Sequence, residues 1–87
     1  MQPVTIYTKP GCPFCSKAKS VFDEKSIDYE EIVASNDPDK RQEMMERSGG
    51  RSTFPQIFIG DTHIGGSDDL MALKQSGKLD ETLGLKD

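Results

Sequence analysis

Two cysteines three positions apart, Cys12 and Cys15, are the residues of this chain best suited to do chemistry. Thiol–disulfide exchange needs a thiolate nucleophile and a second thiol that resolves the mixed disulfide. The thiolate is favoured at a helix N-terminus, where unpaired N–H groups and the macrodipole present positive charge. Pro13 suits the first position of a helix, because its missing N–H would be unpaired there anyway. Cys12 is therefore expected at the helix entrance, with an exposed sulfur and a depressed pKa. Lys9 and Lys17 lie near it in sequence. Cys15, one turn in, shares a face with Ala18 and Phe22, so it is expected to be less exposed, less ionised and resolving rather than attacking.

The spacing also bears on the bridge the pair would form. Side chains at i and i+3 on a helix stand roughly 5–6 Å apart at Cβ, whereas a disulfide wants about 3.5–4.5 Å. Closing it requires the first turn to tighten toward 3₁₀ geometry, so such a bridge is expected to be reducible. Three plainer readings compete. A structural disulfide this short would contribute only about 2 kcal/mol of loop entropy. A zinc site needs four ligands, and Cys12, Cys15 and His63 are the strong ones on offer. Inert cysteines are the third.

The elements that must position the pair can be read from pattern. Residues 4–8, Val-Thr-Ile-Tyr-Thr, are β-branched and aromatic and predict a strand. Lys9-Pro10-Gly11 breaks the chain. Phe14, Ala18, Val21 and Phe22 then predict a helix from Pro13 to Lys25. Residues 29–33 predict a second strand. Asp37-Pro38 starts a second helix, through Met44 and Met45 to Gly49-Gly50. Pro55 to Ile59 reads as a buried strand, and Gly60-Asp61 as a hairpin turn into Thr62-His63-Ile64. His63 is expected to be an exposed strand residue. Gly65-Gly66 ends that strand, and Ser67 caps a third helix through Leu70 and Leu73 to Gly77. Leu79, Leu83 and Leu85 suggest a short closing helix. The order β-α-β-α-β-β-α predicts an α/β fold. It is a four-stranded mixed sheet, with a parallel β-α-β unit, an antiparallel hairpin and helices on both faces.

Composition narrows the class. The 87 residues suffice for one domain, 1–87. Two cysteines cannot build a disulfide-dense secreted scaffold. Met1-Gln2-Pro3-Val4 shows no charged leader or signal-peptide core, and no apolar run approaches bilayer length. A reducing cytoplasm and no membrane partner are the expectation, and there a Cys-x-x-Cys pair is catalytic or metal-binding more often than a permanent bridge. Net charge is −4, which argues against nucleic acid. Residues 1–25 hold four lysines against two acids, which leaves −6 for the rest, so the cysteines sit in the only net-positive part of the chain. That favours a thiolate and an anionic small molecule.

The chain resembles a dithiol glutaredoxin of the small bacterial type over nearly its whole length. Three motifs carry the resemblance: Thr8-Lys9-Pro10-Gly11-Cys12-Pro13-Phe14-Cys15, Thr53-Phe54-Pro55-Gln56-Ile57-Phe58-Ile59, and Gly65-Gly66-Ser67-Asp68-Asp69-Leu70. The family implies the thioredoxin fold. It implies reduction of protein disulfides and of glutathione mixed disulfides at the expense of glutathione, in electron transport and cell redox homeostasis. Cys12 would be the nucleophile and Cys15 the resolving thiol, in a monomer with no metal. The family more often has tyrosine where Phe14 stands, and often cysteine where Ser67 stands.

The resemblance also implies a glutathione groove. Lys9 would pair with the glycine carboxylate, and Arg41, Arg47 or Arg51 could assist it. Phe54-Pro55 would be a cis bond, uncommon even before proline at about 5–6%. It would turn the Phe54 backbone toward the glutathione cysteine, with Thr53 on the same edge and Phe14 at the rim. Ser67 and Asp68 would open the third helix, an anion site for the γ-glutamyl carboxylate. Asp68 would meet the amino group, and Gly66 would leave room for backbone approach. Each has a plainer alternative: a solvated Lys9, an inward Phe14, a trans Pro55, Asp68 as a helix-start acid, a glycine turn. Other functions compete. A thioredoxin-type donor fed by a flavoprotein is disfavoured by the lack of tryptophan, and a glutaredoxin-like donor that bypasses glutathione is disfavoured by Lys9 and Asp68. A [2Fe–2S] carrier is disfavoured by Pro13, because the family does this mainly with Cys-Gly-Phe-Ser or glycine-containing sites.

Overall fold

The computed structural model describes residues 2–84. Its elements are β1 (Val4–Thr8), α1 (Pro13–Glu24), β2 (Glu30–Val33), α2 (Pro38–Arg47), β3 (Gln56–Ile59), β4 (Thr62–Gly65), α3 (Ser67–Gln75) and α4 (Leu79–Leu83). The sheet order is β2-β1-β3-β4. β1 and β2 are parallel, while β1–β3 and β3–β4 are antiparallel. The mixed sheet and the element order agree with the pattern reading.

The sheet's two central strands explain its layers. Alternate side chains point to opposite faces. Val4 and Ile6 of β1 join Ile57 and Ile59 of β3 against Ala18, Val21 and Phe22 of α1 and Leu70 of α3. On the other face Tyr7 and Phe58 pack with Met44 of α2. Both faces are thus covered, and every residue of β3 is buried. Phe22 is fully buried, so Phe22→Ala is expected to cost about 3–5 kcal/mol. Urea denaturation followed by circular dichroism checks this; a loss below about 0.5 kcal/mol, the range of a surface site, would remove Phe22 from the core.

Element boundaries differ from the expectations in small ways with local causes. The first helix stops at Glu24 rather than Lys25, because the Lys25 N–H bonds back to Phe22 and Ser26 adopts a φ of +56°. Tyr29 precedes the second strand and packs on Phe22, with ring centroids 6.1 Å apart. Asp37 caps α2 as expected, accepting from the N–H groups of Asp39 and Lys40 at 3.2 Å each. Gly66, not Ser67, is the N-cap of α3, and Ser67 is its first residue. The cause is Asp69, whose carboxylate accepts the Gly66 N–H at 3.1 Å. β4 runs one residue further, to Gly65, where φ is +119° and a side chain would collide with Asp69. Leu85, expected in the closing helix, lies outside the described residues.

Candidate active site

The loop after β1 delivers the first cysteine. Gly11 takes a φ of +68°, which a side chain would resist, and brings Cys12 to the start of α1. Cys12 is the N-cap, in extended conformation, and its Sγ accepts the Cys15 backbone N–H at 3.2 Å. Both thiols are free. The capping bond turns the Cys12 sulfur inward, which corrects the expectation of an exposed one: Cys12 is 6% and Cys15 3% exposed. The pair opens to solvent through a cleft of about 360 Å³ that also contains Thr8, Lys9, Lys19 and Glu31. Burial, and then the hydrogen bond with the Cys12 thiol, push the Cys15 thiol up to about 11. Cys15 is therefore protonated at neutral pH, as the sequence led us to expect of the inner cysteine.

Lys19 and Glu31 were not singled out by any motif. Lys19 Nζ meets Glu31 Oε2 at 3.1 Å, and Thr8 Oγ1 donates to the same oxygen at 2.8 Å. The Thr8 hydrogen bond, and secondarily Lys19, hold the Glu31 carboxyl below its usual range. The Cys15-to-Lys19 spacing of four was the only signal available in sequence. Glu31 joins them only through the strand register, which pairs Ile6 with Glu31 and Thr8 with Val33.

A second cleft, of about 320 Å³, gathers Phe14, Thr53, Phe54, Pro55, Gly66, Ser67 and Asp68, together with Arg51 and Asp69. Phe14 is 57% exposed, so it stands at the rim and not in the core. The Phe54–Pro55 bond is cis. A Cβ on Gly66 would come within 3.6 Å of the Pro55 carbonyl oxygen, on the cleft side. Arg51 pairs with Asp69 at 3.5 Å at this end.

A third cleft, of about 420 Å³, shares Thr53 and Phe54 with the second and adds Lys9, Arg41, Ser35 and Ser52. The Ser35 hydroxyl there is buried and has no hydrogen-bond partner. Seven of the expected groove residues thus share one cleft, and Lys9 stands in the adjoining one. Cys12 lines neither; Lys9 is the residue its own cleft has in common with the third. Of the three arginines, Arg41 stands with Lys9. Arg47 instead lies 4.4 Å over the Phe58 ring and donates to the Tyr7 hydroxyl at 2.9 Å.

Behind the grooves is a network that sequence reasoning missed. Gln56, fully buried, donates to the Thr53 carbonyl and hydroxyl oxygens, each at 3.0 Å. Its Oε1 lies 2.7 Å from His63 Nε2, which must then carry the proton. His63 is half-buried against Phe58 and not exposed as expected, and burial lowers its pKa. A polar residue inside the apolar run 55–59 was the available sign.

Comparison with known proteins agrees with this geometry. The family model described as Glutaredoxin matches residues 4–64. The glutaredoxin of Pseudomonas aeruginosa is 48% identical over 83 residues, covering 95% of this chain and 98% of that protein. The solution structure of a glutaredoxin from Brucella melitensis has a TM-score of 0.83 and 55% identity, covering 98% of this chain and 91% of that one. A buckwheat glutaredoxin–glutathione complex superposes with a TM-score of 0.83 at 31% identity, over 95% of this chain and 77% of that one.

Proposed function

The chain belongs to the glutaredoxin family and is a thiol–disulfide oxidoreductase of thioredoxin-like fold, and we propose that it spends glutathione to reduce protein disulfides and glutathione mixed disulfides. One observation carries the reading: a free dithiol at a helix N-terminus stands beside a groove with cations at one end and the start of α3 at the other. The glutathione-bound buckwheat relative supports it.

In this reading Cys12 attacks and Cys15 resolves. Lys9 and Arg41 take the glycine carboxylate of glutathione. Its cysteine lies along Thr53, Phe54 and Pro55, with Phe14 and Gly66 flanking. Its γ-glutamyl carboxylate faces the N–H groups of Ser67 and Asp68, where the helix end favours negative charge, and the Asp68 carboxylate meets the ammonium. In this reading the protein works as a cytoplasmic monomer. No helix among the described residues is long and apolar enough to cross a membrane.

The test is a coupled assay with glutathione, glutathione reductase and NADPH on a small glutathione mixed disulfide. Turnover dependent on glutathione is expected. Turnover sustained by thioredoxin reductase without glutathione would overturn the assignment. Within the same assay, Lys9→Ala and Arg41→Ala are each expected to raise the KM for glutathione by up to about fivefold, since an exposed ion pair contributes roughly 0.2–1 kcal/mol. An unchanged KM in both variants would remove them as carboxylate partners.

A further inference from the structure

The cleft beside the cysteine pair holds two charged groups that the proposed function does not use, Lys19 and Glu31. Lys19 lies one helical turn after Cys15 on α1, on the same face. A lysine on a helix surface ordinarily extends into water. Here the ammonium is drawn back by Glu31 at 3.1 Å, and Glu31 is itself held by the Thr8 hydroxyl at 2.8 Å. Thr8 is buried, at the end of the central strand β1. A rigid element therefore fixes where the cation sits.

We propose that Lys19, braced by Glu31 and Thr8, promotes the resolving step by stabilising the negative charge that develops on Cys15 Sγ as it attacks Cys12. This rests on the reading of Cys15 as the resolving thiol. The step balances within the named groups. Cys15 gives its S–H proton to water in the open cleft, and its sulfur attacks Cys12 Sγ. The Cys12–Cys15 bond forms and the Cys12–substrate S–S bond breaks. The electron pair leaves with the substrate sulfur, which takes a proton from water. Cys15 is oxidised, the substrate sulfur is reduced, and Cys12 remains at the disulfide level.

The need for such a cation follows from the surroundings of Cys15. Burial and the Cys12 thiol oppose its ionisation, while a backbone hydrogen bond with Lys9 and the charge of Lys19 favour it. Lys19 is kept an ammonium, because its hydrogen bond with Glu31 raises its pKa. Glu31 faces the site from β2, and Tyr29 stands just before that strand. The acids at the start of α3, Asp68 and Asp69, line the other cleft. Lys19 is thus the one side-chain ammonium on α1 in the cysteines' cleft, and Lys9 faces it from the preceding loop.

Two measurements test this. The first follows the pH dependence of Cys15 alkylation by iodoacetamide in a Cys12→Ser background. Adding Lys19→Gln is expected to raise the midpoint by about half a pH unit, the size of one charge acting through partly aqueous surroundings. Lys19→Arg is expected to restore it, and Glu31→Gln to lower it. If Lys19→Gln leaves the midpoint in place, or moves it the same way as Glu31→Gln, the proposal fails. The second measures release of a protein held on Cys12 as a mixed disulfide, at neutral pH without glutathione. Lys19→Gln is expected to slow it about threefold, the rate equivalent of that shift. An unchanged rate overturns the proposal even where the midpoint moves. Cys15→Ser in the same experiment separates the two levels. If release survives that change, the resolving role of Cys15 is wrong, and the function of Lys19 falls with it; if release stops, only the Lys19 arms decide.

Discussion

Replacing Cys12 with serine is expected to reduce turnover on every disulfide substrate to the uncatalysed background while leaving the fold intact. The Cys12 sulfur has two jobs in the structure. It caps α1 by accepting the Cys15 N–H, and in the proposed mechanism it attacks the substrate. Serine is among the best N-cap residues, so the first job survives the change. The second does not, because a hydroxyl is a weak nucleophile unless a general base stands beside it. Of the charged groups in its cleft, Lys19 stays protonated, and Glu31 is committed to Lys19 and Thr8. Circular dichroism should therefore match the parent while the coupled assay shows no rate. Turnover above background in a folded Cys12→Ser protein would move the attacking role elsewhere.

Cys15→Ser is expected to separate the two activities. On a glutathione mixed disulfide, Cys12 attacks the glutathione sulfur and releases the substrate thiol. A second glutathione can then free Cys12, so Cys15 is not needed. On a protein disulfide, Cys12 becomes bonded to the protein itself. Release is then fastest from a thiol held one helical turn away, at high effective concentration. The raised pKa of Cys15, about 11, has a defined consequence here. Below that value it is a thiol and waits; as pH rises toward it, the ionised fraction grows and release from a protein disulfide should accelerate. Assays of the parent on a protein disulfide across pH, and of Cys15→Ser on both substrates, check this. Loss of both activities together would give Cys15 a larger role than resolving, and retention of both would end the two-thiol reading.

Much of this site was legible because its parts are local. A strand, a Gly11 turn, Pro13 at the helix start and cysteines at i and i+3 are all decided within twelve residues, and backbone preferences act at that range. What was not legible depends on the sheet. That Arg41 and not Arg47 stands with Lys9 reflects Arg47 being occupied by Tyr7 and Phe58, which come from two strands far apart in sequence. Glu31 reaches Lys19 only once β2 pairs with β1. Gln56 and His63 hold Thr53 through a cross-strand contact that alternation alone reads as one buried and one exposed residue. The burial of Cys12 was misjudged because pattern places a residue at a helix entrance but says nothing of where its side chain finds a donor.

The outer position of β2 has a consequence for how copies of this protein behave when concentrated. An edge strand leaves one row of backbone N–H and C=O groups open to another chain, and sheets can extend that way into aggregates. β2 is only four residues long, and its exposed residues include Glu30 and Glu31 beside the apolar Val33. Two copies docking edge to edge through β2 would bring these glutamates together, and like charges opposed across strands are destabilising. The Glu31 that positions Lys19 on one side of the strand thus also disfavours extension of the sheet at its β2 edge.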